Sequence, residues 1–170
     1  METFKEIYLA GGCFWGTEHY FKQVKGVVET ETGFANGHLE NPSYKQVKHG
    51  DTGFAETVRI KYDPSVVSLE LLLDLYFKSI DPLSLNKQGE DEGTQYRTGI
   101  YYTDTEDLQV IDKVYGKAED AAGQPLAVEK LPLQNFYPAE EYHQDYLDKN
   151  PDGYCHLPVA LFEFARKANG

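Results

Sequence analysis

Cys13 sits in the stretch Ala10-Gly11-Gly12-Cys13-Phe14-Trp15-Gly16. An apolar run, Ile7-Tyr8-Leu9-Ala10, precedes it, and Phe14, Thr17, Phe21 and Val24 follow at helical spacing. The run reads as a buried strand and the following residues as a helix with one inward face. A thiol is therefore expected at a strand-to-helix turn. Glycines let the backbone turn tightly there, and the free N–H groups and dipole of a helix start favour an anion. Thiolate is the reactive form of cysteine, so the position suits nucleophilic or redox chemistry. The alternative is an inert cysteine buried in a tight turn.

The second cysteine, Cys155, lies among breakers in Asn150-Pro151-Asp152-Gly153-Tyr154-Cys155-His156. Nothing has C-x-x-C spacing, and His19, His38, His49, His143 and His156 form no H-x-x-x-H pair, so no metal site is expected. The two thiols could form a permanent disulfide. A reactive thiol and a partner beside a Pro151/Gly153 hinge are also the architecture of a catalytic disulfide, in which one cysteine attacks and the other resolves.

Glu56 is the third chemical residue. Over 54–62 the chain alternates, with Phe54, Glu56, Val58, Ile60 and Tyr62 on one face and Thr57, Arg59 and Lys61 on the other. The apolar face must point to the core, which places a carboxyl group where it loses hydration. Desolvation disfavours the charged form, so its pKa is expected to rise and the acid to serve as a proton donor near neutral pH. A bulge turning Glu56 to solvent, or a buried structural hydrogen bond, is the alternative.

The string Gly12-Cys13-Phe14-Trp15-Gly16 resembles the active-site signature of the A-type peptide methionine sulfoxide reductases. The resemblance extends to Asn41-Pro42-Ser43-Tyr44, to Gly53-Phe54-Ala55-Glu56-Thr57-Val58-Arg59, to Gly93-Thr94-Gln95-Tyr96-Arg97 with Asp91 just ahead, and to Gly153-Tyr154-Cys155-His156. It implies thioredoxin-dependent reduction of methionine S-sulfoxide, free or protein-bound, as repair after oxidation. Cys13 would attack and become a sulfenic acid, Glu56 would protonate the oxygen, and Cys155 would resolve to a Cys13–Cys155 disulfide. Phe14 and Trp15 would line a pocket for the methyl group, for which aromatic faces are suited. Tyr44, Glu56 and Tyr96 would surround the sulfoxide oxygen, with Asp91 helping to place or polarise the site. No metal or organic cofactor is implied; the reductant is thioredoxin or another external dithiol. The chain departs from the common family form in carrying Phe54 in place of a histidine, and Glu90-Asp91-Glu92 where Asn-Asp-His is frequent.

The elements that position these residues follow from pattern. Strands are predicted at 4–10, 27–34, 54–62, 99–102 and 126–131. Helices are predicted at 14–24, at 42–49, after Ser68 with Leu69, Leu72, Leu73, Tyr76, Phe77 and Ile80 inward, after the capping-box form Thr103-Asp104-Thr105-Glu106 until Gly123, and at 139–147. The polar stretch 81–97 reads as a long functional loop. The sum is an α+β chain. With the resemblance it becomes a two-layer sandwich whose mixed, mostly antiparallel sheet has a ferredoxin-like core, in one catalytic domain over 1–170 with a coiled C-terminal tail at about 148–170. The net charge of −12 argues against sequence-independent nucleic-acid binding. No apolar run spans a membrane and no basic-then-apolar leader opens the chain; with only two cysteines a reducing, cytoplasmic compartment is expected, and with no long apolar patch evident, a monomer. Two other readings fit the residues alone. One is a thiol hydrolase with His143 or His156 as base; the other is a redox-sensing domain without turnover.

Cys13→Ser is expected to abolish sulfoxide reduction with any reductant, since a hydroxyl at neutral pH is a far poorer nucleophile than a thiolate. Methionine formation with excess dithiothreitol measures it, and appreciable turnover would remove Cys13 from the chemistry.

Overall fold

The computed structural model describes residues 4–12, 14–37, 53–84, 87–88, 91–92, 94–150, 157 and 159–168. The helix expected at 42–49, and with it Tyr44, lies outside the described residues, as do Cys13 and Cys155.

A six-stranded mixed sheet carries the site. It is built from β1 (Lys5–Gly11), β2 (Val27–Ala35), β3 (Ala55–Tyr62), β6 (Thr98–Tyr102), β7 (Glu129–Pro132) and β8 (Phe136–Pro138). Two short strands, β4 (Lys87–Gln88) and β5 (Asp91–Glu92), pair with each other apart from it. The order in the large sheet is β7-β6-β1-β3-β2-β8. Neighbours are antiparallel except β6 and β7, which run parallel. Five helices are described: α1 (Phe14–Lys22), α2 (Leu69–Ser79), α3 (Leu108–Ala122), the one-turn α4 (Tyr146–Lys149) and α5 (Val159–Lys167). No described helix is long and apolar enough to cross a membrane.

Alternation along the strands decides which face the helices cover. Ile7 and Leu9 of β1, Val58 and Ile60 of β3 and Ile100 of β6 are fully buried in one cluster with Phe14 and Phe21 of α1 and Leu72 and Tyr76 of α2. α2 begins as its sequence requires, with Ser68 Oγ accepting from the Leu71 N–H at 3.1 Å. Far along the chain, Tyr76 donates its hydroxyl to the Ala10 carbonyl at 2.6 Å, which ties α2 to the end of β1 just before the cysteine motif.

The sheet's opposite face differs from expectation. Thr57 is fully buried, not solvated, because Ala10, Ala35, Ala55 and Tyr101 form a second cluster there against Tyr8, Leu133 and Phe136. Farther along, Arg59 bonds Glu6, Glu29 and Glu31 across three strands. That network keeps the outer face polar where the second cluster ends.

Several predicted elements are corrected. The 139–147 helix is instead a 3-10 turn, Glu141–His143, followed by the one-turn α4, just after β8 ends at Pro138; a stretch this short does not specify a continuous helix on its own. The C-terminal tail is not all coil, since α5 covers Val159–Lys167 and packs on α1. The 81–97 stretch contains the antiparallel β4/β5 pair and a 3-10 turn, Thr94–Tyr96. The helical start near 104 is capped by Asp104, whose side chain accepts from the Glu106 N–H, in place of a Thr103 capping box. The Gly123 stop holds, with the residue left-handed at φ 72.

β8 can approach β2 because Gly33 has no side chain. A Cβ there would lie 2.4 Å from Phe136 Cζ and 2.6 Å from the Tyr137 carbonyl oxygen. Gly33→Ala should therefore cost about 1–3 kcal/mol of stability, the usual range for overpacking, because backbone and ring must both shift. The urea midpoint of unfolding measures the loss.

Candidate active site

The motif turns as predicted. Gly12 has φ 91, a conformation that favours glycine, and β1 ends at Gly11. The turn is close-packed: a Cβ on Gly11 would meet Ile80 Cγ2 at 3.2 Å and Thr17 Oγ1 at 3.3 Å. α1 begins at Phe14, the residue after Cys13.

Glu56 reaches this helix start. Its side chain is 1% exposed, and its Oε1 accepts from the Phe14 N–H at 3.2 Å. Two ladders set the position. β3 pairs with β2 through Phe34↔Glu56 and with β1 through Leu9↔Val58, so the carboxyl is held beneath the end of β1. Glu56 therefore lies on the core-facing side that strand alternation predicts, with no bulge turning it outward. The interaction is a buried hydrogen bond at the helix start.

Phe14 is fully buried, with its ring 5.6 Å from Phe34 and 5.5 Å from His143. Trp15 is half-buried. Its Nε1–H donates to His143 Nδ1 at 2.9 Å, and its ring stacks on Tyr146 at 3.8 Å and 11°. The side of α1 opposite the sheet is thus not open. The chain from Glu141 to Lys149 covers it through Trp15, Glu18 and Lys22.

Tyr96 ends the Thr94–Tyr96 turn, which lies against β3, the strand of Glu56. Arg97 then holds this turn in place, donating to the Gly53 carbonyl at 2.8 Å and to Glu129 Oε1 at 2.7 Å; Tyr101 donates to the same Glu129 oxygen at 2.7 Å. Asp91 is in β5, where its backbone pairs with Gln88. The described part of the structure therefore brings Glu56, Phe14 and Trp15 together at the start of α1 and sets the Tyr96 turn against β3, the strand that carries Glu56. Cys13, Tyr44 and Cys155 lie outside the described residues, and of Asp91 only the backbone is described. Among the described residues, no group of three or more His, Cys, Asp or Glu is arranged to hold a metal ion.

Nothing local in the sequence marks His143, Tyr146 or Glu129 as neighbours of this region, and Arg97 enters there only as the last residue of the Gly93–Arg97 motif. His143 stood out only as a lone histidine and a candidate hydrolase base, whereas its Nδ1 is engaged by Trp15. A histidine accepting from an indole across 128 residues has no local signature.

A family model described as peptide methionine sulfoxide reductase matches residues 5–169. A peptide methionine sulfoxide reductase MsrA of Clostridium acetobutylicum is 54% identical over 94% of this chain and 98% of its own length. One from Clostridium botulinum, Okra strain, is 58% identical over 90% and 98%. Among solved structures, Mxr1 of Saccharomyces cerevisiae in reduced form superposes with a TM-score of 0.85 at 43% identity, covering 89% of this chain and 88% of that one. Mxr1 in complex with Trx2 gives 0.60 at 28% identity, covering 84% of each chain. The chain belongs to the peptide methionine sulfoxide reductase family. Within the family it is of the A type, an oxidoreductase that reduces methionine sulfoxide.

Burial lowers the pKa of His143 from its ordinary value of 6.5, with Glu140 acting weakly in the other direction. The neutral ring is thus favoured in the folded state. Its contribution to stability is full above pH 6.5 and is lost as pH falls through the lowered value. Protonation of Nδ1 also removes the acceptor for the Trp15 N–H. Because Trp15 is the only tryptophan, its fluorescence is expected to change in a transition below pH 6.5. His143→Phe should abolish that transition.

Proposed function

We propose that Cys13 and Glu56 reduce methionine S-sulfoxide as nucleophile and acid. The observation that carries this reading is the buried Glu56 carboxyl hydrogen-bonded at the helix start directly after Cys13. The Cys13 thiolate attacks the sulfoxide sulfur while Glu56 gives a proton to the oxygen. Methionine is released, and Cys13 keeps the oxygen as a sulfenic acid, its sulfur having supplied two electrons. The Cys155 thiol condenses with it, forming a disulfide and releasing water. A thioredoxin dithiol then exchanges with that disulfide, becoming oxidised and restoring both thiols. The relative solved in complex with Trx2 supports this reductant.

Phe14 and Trp15 wall the pocket for the substrate methyl group. Tyr44, Glu56 and Tyr96 bind the oxygen, and Asp91 places or polarises the site. The chain works as one cytoplasmic, monomeric catalytic domain over 1–170, without metal or organic cofactor, on free and protein-bound substrate. A ferredoxin-like core is supported by the connection β1-α1-β2-β3-α2-β6 with strand order β6-β1-β3-β2.

Glu56→Gln tests the acid. The amide keeps an oxygen that can accept from the Phe14 N–H, so the fold and the thiol should survive. Single-turnover methionine formation should slow by about 10²-fold or more, the usual size of a general-acid effect, with the greatest loss at high pH. A variant as fast as wild type from pH 5 to 9 would show that the proton comes from another group.

A further inference from the structure

Glu18 has no part in the chemistry above, yet it is an acid with 1% exposure in the helix that begins after Cys13. Its two oxygens are both engaged. Oε2 accepts from the Thr30 hydroxyl of β2 at 3.0 Å, and Oε1 accepts from the Asp145 N–H at 2.8 Å. Burial pushes its pKa up to about 7, against the lowering effect of those two donors and of Lys22. A buried carboxyl is costly and is kept only where its partners are well placed.

Its partner is the backbone that holds Trp15. Asp145 has φ 54, a left-handed conformation uncommon outside glycine. On one side of it, the Gln144 side chain pairs with the Thr32 N–H at 2.8 Å and the Thr32 carbonyl at 2.9 Å, like an added strand residue. Immediately before and after these two anchors come His143 and Tyr146, which contact the Trp15 ring by hydrogen bond and by stacking. Trp15, Glu18 and Lys22 occupy positions i, i+3 and i+7 of one helix stripe, so this segment lies along them. Lys22 pairs with Asp145 and Asp148 at the more exposed end of the stripe.

We propose that Glu18 is a positioning residue for substrate recognition: by accepting from Thr30 and from the Asp145 amide, it holds the 143–146 segment that sets the Trp15 ring at the methyl pocket. The inference rests on the reading of Trp15 as a pocket wall. It predicts an effect on sulfoxide binding with the reacting thiol untouched.

The test compares Glu18→Ala, Glu18→Gln, Thr30→Val and Lys22→Ala in the full chain. Expected for Glu18→Ala are a red-shifted Trp15 emission, easier acrylamide quenching and a KM for a blocked methionine sulfoxide raised about tenfold. Its saturating single-turnover rate should fall by less than about threefold, as for a loss of uniform binding. The rate of Cys13 alkylation by iodoacetamide should not change. Glu18→Gln, which can still accept from Asp145 and donate to Thr30, should restore KM to within about threefold. Lys22→Ala should leave emission near wild type, since exposed ion pairs contribute little. If Glu18→Ala does not fold, Thr30→Val decides, and a smaller shift of emission and KM in the same direction is expected. Unmoved emission in the Glu18 and Thr30 variants, or an equal shift in Lys22→Ala, would overturn the role of Glu18 itself. A shifted emission with unchanged KM would overturn the inference through the pocket reading of Trp15 instead.

Discussion

The bond from the Phe14 amide to the Glu56 carboxyl joins the central sheet to the helix that follows Cys13. A buried carboxyl needs a partner, and a helix start has N–H groups that no residue within the helix can satisfy. Each group meets the other's requirement. Because β3 is paired on both sides, Glu56 cannot slip by one residue without turning Val58 and Ile60 out of the core. The position of the acid is therefore protected by the hydrophobic core as a whole.

α1 is packed on two sides. Its inner side meets the sheet through Phe14 and Phe21, and its outer side is covered by the Glu141–Lys149 chain and by α5. Buried helices usually acquire apolar contacts all round. Here the outer contacts are mostly polar or aromatic: Trp15 with His143 and Tyr146, Glu18 with Asp145, Lys22 with Asp145 and Asp148. Directional contacts of this kind fix ring orientation more tightly than area burial does. The segments on either side of 151–156 both dock on this same helix, as α4 before it and α5 after it.

The strands and helices with strong periodicity were legible in the sequence. β1, α1, β2, β3, α2 and the start of β6 fell within a residue or two of expectation, because each buries one face of a regular repeat. So did the placement of Glu56, since a period of two leaves a strand residue only two directions. The cysteine at the strand-to-helix turn and the family resemblance were legible for a related reason: the motif is contiguous, and its glycines have local work to do.

What the sequence left open depends on partners distant along the chain. β8 is only three residues long and exists because Gly33 admits Phe136 and β2 offers an edge. Thr57 reads as a surface residue until Phe136 and its neighbours cover that face. His143 becomes the acceptor of Trp15, and Asp145 the partner of Glu18, only when residues more than 120 positions apart are brought together. Periodicity reports which way a side chain points relative to its own element. The identity of the group it meets is set by packing between elements, where many arrangements bury the same apolar area and polar complementarity selects among them.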